Sequence, residues 1–144
     1  TNLEPMSGYG NDPYYASAGE KIKAWTKCET ADVCFLVGGT QTNQLVIDSI
    51  LKPFEGVVAA KTGHVAVHEA GAIEYTGHKV IELPCENGKI AASTIDNYCT
   101  TFFGDESNDH MVEPGVVYIS QPTEYGTVYS LNELMSLVGV YIKV

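Results

Sequence analysis

An α/β fold with a mainly parallel sheet and flanking helices is what this sequence predicts, on three observations. Short apolar runs of strand length alternate along the chain with stretches whose apolar residues recur at helical spacing. The run Gly56-Val57-Val58-Ala59-Ala60 shows no polar alternation, as expected of a strand covered on both faces. In Phe35 to Gln44, FLVGGTQTNQ, an apolar run meets two glycines and then a helix start, the connection expected at the carboxyl end of a strand.

The elements follow in order. Thr1 to Pro13 is rich in Gly, Asn and Pro and reads as an irregular lead-in. Tyr14 to Cys28 carries Ala18, Ile22, Ala24 and Trp25 between charges, which predicts an amphipathic helix with Trp25 in the core. Val33 to Val37 is the first predicted strand, and Thr40 to Leu51 a helix stopped by Pro53. The second strand, 56–60, leads through a Lys61-Thr62-Gly63 turn to a helix over His64 to Tyr75, ended near Gly77. Lys79 to Leu83 is the third strand, Glu86 to Lys89 a turn, and a helix capped by Ser93 or Thr94 runs to about Phe103. Gly104 to Asp109 is an acidic loop read as solvated. Val116 to Ser120 is the fourth strand, Ser130 to Val138 a capped helix, and Val140 to Val144 a fifth strand.

With 144 residues, 44% of them hydrophobic, the chain can bury one real core, and a single domain over 1–144 is expected. A net charge of -10 with only 8 Lys plus Arg argues against nucleic-acid partners, which demand a basic surface. No apolar run approaches the ~18 residues of a membrane span, and the first residues do not form a signal peptide. A soluble, cytoplasmic protein without a membrane partner is expected. The four cysteines contain no CxxC pair and sit in or beside apolar segments, which predicts buried free thiols.

Chemistry is expected where strands end. The Gly38-Gly39-Thr40 helix start offers unpaired backbone N–H groups and the positive end of a helix dipole to a phosphate. Its spacing is neither GxGxxG nor GxxxxGK[ST], and the same pattern also serves as a plain tight connection. His64 follows the second strand, and Gln121 to Tyr125 follows the fourth. His64 and His68, four apart, have the spacing to share a helix face and grip a metal with Glu69 or His78. The alternative is a pair of hydrogen-bonded, partly buried histidines, and no metal site is assigned. No G-x-S-x-G elbow or supported Cys–His pair points to acyl transfer.

Three blocks carry a resemblance to a known family: FLVGGTQTNQL at Phe35 to Leu45, GHVAVHEAGAIEYTGHKV at Gly63 to Val80, and VVYISQPTEYGTVY at Val116 to Tyr129. In this order and spacing they resemble the threonine aldolases of the β-eliminating lyase group, pyridoxal-phosphate enzymes of the aspartate-aminotransferase fold. The resemblance implies cleavage of a β-hydroxy-α-amino acid such as threonine or allo-threonine to glycine and an aldehyde, with another β-eliminating lyase or an aminotransferase as the alternative. It implies pyridoxal 5'-phosphate as cofactor, held through its phosphate by Gly39, Thr40 and Gln41 and flanked at its ring by His64. It also implies a homo-oligomer, dimer or tetramer, in the full-length protein.

Two departures accompany the match. Glu124 stands where many members of the family carry a His proposed as acid/base, so Glu124 is taken, like His64, as a catalytic residue; a carboxylate whose pKa is raised by burial accepts a proton from a substrate hydroxyl. The closing GVYIKV, Gly139 to Val144, resembles the family's next strand and stops where the Asp that pairs with the pyridine nitrogen is expected; the Schiff-base Lys lies later still. Position 1 is Thr, and the family's N-terminal segment is missing. The chain is therefore expected to be an N-terminal part of the cofactor-binding domain, inactive alone, or an interaction remnant.

Overall fold

The computed structural model describes residues 5–141. Contacts divide them between two compact units, Thr1–Val37 and Gly38–Val144.

The first unit contains one helix, α1 (Pro13–Thr26). Asp12 caps it, accepting from the backbone N–H groups of Tyr14 and Tyr15, and Pro13 at the first position has no N–H to leave unpaired. Lys27 ends it in the left-handed conformation. Two expectations fail here. Trp25 is 84% exposed, because a lone helix has no second layer in its own unit against which to bury a stripe. Val33 to Val37 is irregular rather than a strand. Its backbone is instead pinned by one side chain: the Tyr15 hydroxyl donates to Val33 O at 3.2 Å and accepts from Phe35 N at 3.3 Å, with the Tyr15 and Phe35 rings edge to face.

The second unit is the expected α/β layer structure. Its order is α2 (Gly39–Ile50), β1 (Glu55–Ala60), α3 (His64–Val67), α4 (Ala72–Tyr75), β2 (Val80–Leu83), α5 (Ala92–Gly104), a 3-10 turn (Asn108–His110), β3 (Glu113–Tyr118) and α6 (Leu131–Tyr141). The three strands are parallel in the order β2-β1-β3. Val57 pairs with Val80 on one side and Val116 on the other. Central β1 is buried along its whole length, which is why its sequence lacks alternation.

Two apolar clusters sandwich the sheet. Val57 and Ala59 point to one face with Ile47 of α2, Leu51 just after it, Val65 of α3 and Ile73 of α4. Val58 and Ala60 point to the other with Ile90, Ile95 and, from α6, Leu137 and Val140. Gly56 is required where it stands, since a Cβ there would lie 2.7 Å from the Lys79 carbonyl oxygen.

Four further expectations are corrected. His64 to Tyr75 is not one helix but two single turns, α3 and α4, because Ala70 (φ 51°) and Gly71 (φ 76°) take the left-handed conformation between them. The N-cap of α5 is Ala91, with no side-chain bond from Ser93 or Thr94. Val140 and Tyr141, expected to begin a strand, belong to α6, since Leu134, Leu137 and Val140 continue a partly buried helical stripe; 142–144 lie outside the described residues. All four cysteines are free, but Cys28 and Cys34 are exposed and Cys85 and Cys99 only partly buried, so flanking apolar residues did not bring burial with them.

The Ser130 cap of α6 does form. Glu133 N donates to Ser130 Oγ, while Ser130 N donates back to Glu133 Oε2 at 2.7 Å, a capping box.

Candidate active site

The carboxyl end of β1 places the first residue of the site. After Ala60 the chain turns within three residues, Gly63 N donating to Ala60 O at 2.7 Å, and a Cβ at Gly63 would come within 2.9 Å of that same oxygen. The turn delivers His64 at the start of α3, with its side chain 39% exposed.

Glu124 reaches it from the end of β3. Gln121 substitutes for a strand partner, its Oε1 accepting from Tyr129 N at 2.8 Å and its Nε2 donating to Tyr129 O at 3.3 Å. Between these anchors the chain curls round buried Thr123, whose N–H donates to Thr127 O and whose carbonyl accepts from Gly126 N. Thr127 Oγ1 donates to Asn87 O, and the Tyr129 hydroxyl accepts from Ile90 N at 2.8 Å, tying the loop to the Glu86–Lys89 turn. Burial pushes the Tyr129 phenol up, only partly opposed by that bond. The loop so fixed puts Glu124 Oε1 3.0 Å from His64 Nδ1.

The other ring nitrogen of His64 meets a second carboxylate. Glu69 Oε1 lies 3.3 Å from His64 Nε2 and accepts from Asn43 Nδ2 of α2 at 2.8 Å. Gln44 Nε2 donates to Ala72 O at 2.9 Å beside it, so α2 is stitched to the α3–α4 turn. Glu69 stands five residues after His64, a spacing that does not share a helix face. The two come together because α3 ends at Val67 and His68 leaves helical geometry (φ -125°).

His68 lies beside His64, as their four-residue spacing allows. Its Nε2 lies 3.6 Å from Glu124 Oε2, and its ring centroid is 5.7 Å from that of His64. His78, considered as a third metal ligand, is buried elsewhere, with Nδ1 3.0 Å from Glu55 O and Nε2 3.3 Å from Asp48 Oδ1. Among the described residues no three His, Cys, Asp or Glu side chains are grouped to hold a metal.

Gly39, Thr40 and Gln41 form the first turn of α2, as expected. Its N-cap, Gly38, is extended and brings no side-chain cap, and no acidic residue occupies the turn. A Cβ built at Gly38 or Gly39 meets nothing within 4 Å, so the helix start is open. The link from this helix to His64 runs through Asn43 and Glu69. A separate cavity of about 570 Å³ beside the starts of α5 and α6 shares no lining residue with this cluster.

The imidazole and carboxylate lie beyond the carboxyl ends of the parallel strands β1 and β3, with the start of α2 tied to them through Asn43 and Glu69. The profile of the family described as beta-eliminating lyase matches residues 6–141. The chain belongs to the beta-eliminating lyase family. Within it, the chain is 32% identical to a low specificity L-threonine aldolase of Pseudomonas sp. and 31% identical to that of Pseudomonas aeruginosa, each over 90% of this chain. A threonine aldolase structure from Leishmania major superposes with a TM-score of 0.89 at 40% identity, covering 99% of this chain and 40% of that one. The chain spans 36% of the length of the two Pseudomonas relatives.

Proposed function

We propose that this chain is part of the cofactor-binding domain of a pyridoxal-phosphate-dependent threonine aldolase, which cleaves threonine or allo-threonine to glycine and acetaldehyde. The observation that carries the proposal is the meeting of His64 and Glu124 at 3.0 Å, brought from the ends of adjacent parallel strands. Ligands of such sheets bind outside the carboxyl ends of the strands. Similarity to two low specificity L-threonine aldolases supports the choice of reaction.

The residues present fit the cofactor. An open helix start with no acidic side chain suits a phosphate, and Gly39, Thr40 and Gln41 are the residues that would hold it. His64, hydrogen-bonded at Nδ1 to Glu124 and facing the Glu69 carboxylate at Nε2, offers a flat face to an aromatic ring. When bound, pyridoxal phosphate supplies an electron sink for the pair left on Cα as the Cα–Cβ bond breaks. Glu124 accepts the proton of the substrate's β-hydroxyl, and its contact with His64 Nδ1 keeps its carboxylate aimed.

Acetaldehyde release from threonine by a full-length protein carrying this chain is the deciding assay. Transamination or β-elimination without acetaldehyde would replace the aldolase assignment with another activity of the superfamily. The 144-residue chain alone is expected to bind pyridoxal phosphate reversibly and to leave no borohydride-stable adduct; a stable adduct with turnover would show a complete catalyst. The full-length protein is proposed to be a homo-oligomer, dimer or tetramer, supported by the half-exposed Leu45, Val46 and Ile50 on α2; a monomer by sedimentation would contradict it. A cytoplasmic location is proposed on the four free cysteines. Among the described residues no helix is long and apolar enough to cross a membrane.

A further inference from the structure

We infer that Glu69 is the positioning residue of His64, fixing the plane of its ring from beneath and tying it to the helix that starts at Gly39. The inference rests on the reading of His64 as the residue that faces the cofactor ring.

Glu69 is the most deeply buried carboxylate of the cluster, its side chain 0% exposed against 26% for Glu124. A buried carboxylate is costly unless it is paired and hydrogen-bonded. One oxygen is satisfied: Oε1 receives Asn43 Nδ2 at 2.8 Å and faces His64 Nε2 at 3.3 Å. The other, Oε2, is buried with no partner. A residue kept only for packing, or only to tie α2 to the turn, would be cheaper as a glutamine or an apolar side chain, and an orphaned buried oxygen calls for another explanation.

Orientation of His64 supplies one. The χ2 torsion of histidine is broad, so a single bond at Nδ1 to the more exposed Glu124 leaves the ring free to tilt. The Glu69 carboxylate, 3.3 Å from Nε2 and within ion-pair reach, opposes that tilt from the other side of the ring. Glu69 itself cannot follow the ring, because its side chain is fully buried and Asn43 holds its oxygen. The groups facing His64 are thus Glu69, Glu124 and, at the next turn of chain, His68. Through Asn43, the ring is held in register with the phosphate-binding end of α2.

The test uses the 144-residue chain with ¹⁵N-labelled histidine, read by long-range ring ¹⁵N–¹H spectra, together with its affinities for pyridoxal phosphate and for inorganic phosphate. Glu69→Ala is expected to abolish the slowly exchanging Nε2–H signal of His64 and to weaken pyridoxal phosphate by about three- to tenfold, the loss of one charged contact. Inorganic phosphate, which reads the helix start alone, should bind unchanged. Glu69→Gln, which keeps an acceptor oxygen, should restore the His64 signal. Should Glu69→Ala fail to fold, Asn43→Ala frees the Glu69 carboxylate and should cost the same signal.

Retention of the His64 signal in a folded Glu69→Ala chain, or in folded Asn43→Ala if that chain is the one measured, overturns the inference. An equal loss of affinity for both ligands does so too, since it would reveal a packing role. His64→Ala separates the two claims: if it leaves pyridoxal phosphate affinity unchanged, the cofactor reading of His64 fails, while the ring spectra still decide whether Glu69 holds it.

Discussion

His64 Nδ1 and Glu124 Oε1 lie 3.0 Å apart although 60 residues separate them in the chain. Each is delivered by a different strand, and neither can be replaced without loosening the other. In the full-length protein, Glu124→Gln is expected to lower kcat for threonine by about 10²- to 10⁴-fold with little change in KM, the usual loss of a positioned proton acceptor. Steady-state kinetics check this. His64→Phe should retain pyridoxal phosphate better than His64→Ala, because it keeps a flat ring while losing both nitrogens. An unchanged kcat in Glu124→Gln would remove that carboxylate from the chemistry.

The two other histidines near the sheet should separate cleanly. His68 is 59% exposed at the side chain, and His68→Ala should change stability by no more than about 0.5 kcal/mol. His78 is buried between Glu55 O and Asp48, and His78→Ala should cost about 1–3 kcal/mol in urea unfolding. Because His78 is committed to these partners, a chelator should leave pyridoxal phosphate binding unchanged. Loss of binding on chelation, restored by a divalent cation, would reopen a metal role for His64 and His68.

The cap of α6 should titrate at low pH. Hydrogen bonds from Lys89, then from the Ser130 backbone and hydroxyl, hold the Glu133 carboxyl down at about 2, from an ordinary 4.5. A folded value below the unfolded one means that the contribution is present above pH 4.5 and is lost as pH falls toward about 2. Carbon NMR of the Glu133 carboxyl should follow that titration. Lys89→Met should move it back toward the ordinary value and flatten the acid limb of the stability curve.

Two pairs of substitutions contrast space with chemistry. Gly56→Ala meets the Lys79 carbonyl oxygen at 2.7 Å and the Val112 side chain at 2.9 Å, and should destabilise by about 1–3 kcal/mol. Gly39→Ala meets nothing, so the melting temperature should hold, whereas affinity for phosphate should fall as a methyl group narrows the helix start. Tyr129→Phe leaves Ile90 N without its acceptor and should cost about 1–3 kcal/mol in thermal unfolding. Tyr129→Trp would not relieve this, since indole offers only a donor.

What the sequence by itself determined was local and periodic. Continuous apolar runs placed β1, β2 and β3, and the Gly-Gly-Thr step set the start of α2 within a residue, because strand burial and helix capping depend on near neighbours. The ordered blocks likewise singled out His64 and Glu124 as candidate catalytic residues. Tertiary structure decided the rest. Val33 to Val37 is as apolar as β1 but is not a strand, since a strand exists only where a partner offers a ladder, and here the Tyr15 hydroxyl takes that backbone instead. Trp25 has the spacing of a core residue and is exposed, since burial requires an opposing face as well as a stripe. Glu69 comes beside His64 only because α3 ends at Val67 and His68 leaves helical geometry, and Glu124 comes beside it only because β1 and β3 are neighbours. Contacts between residues far apart in sequence follow from strand order and backbone hand, which residue spacing does not encode.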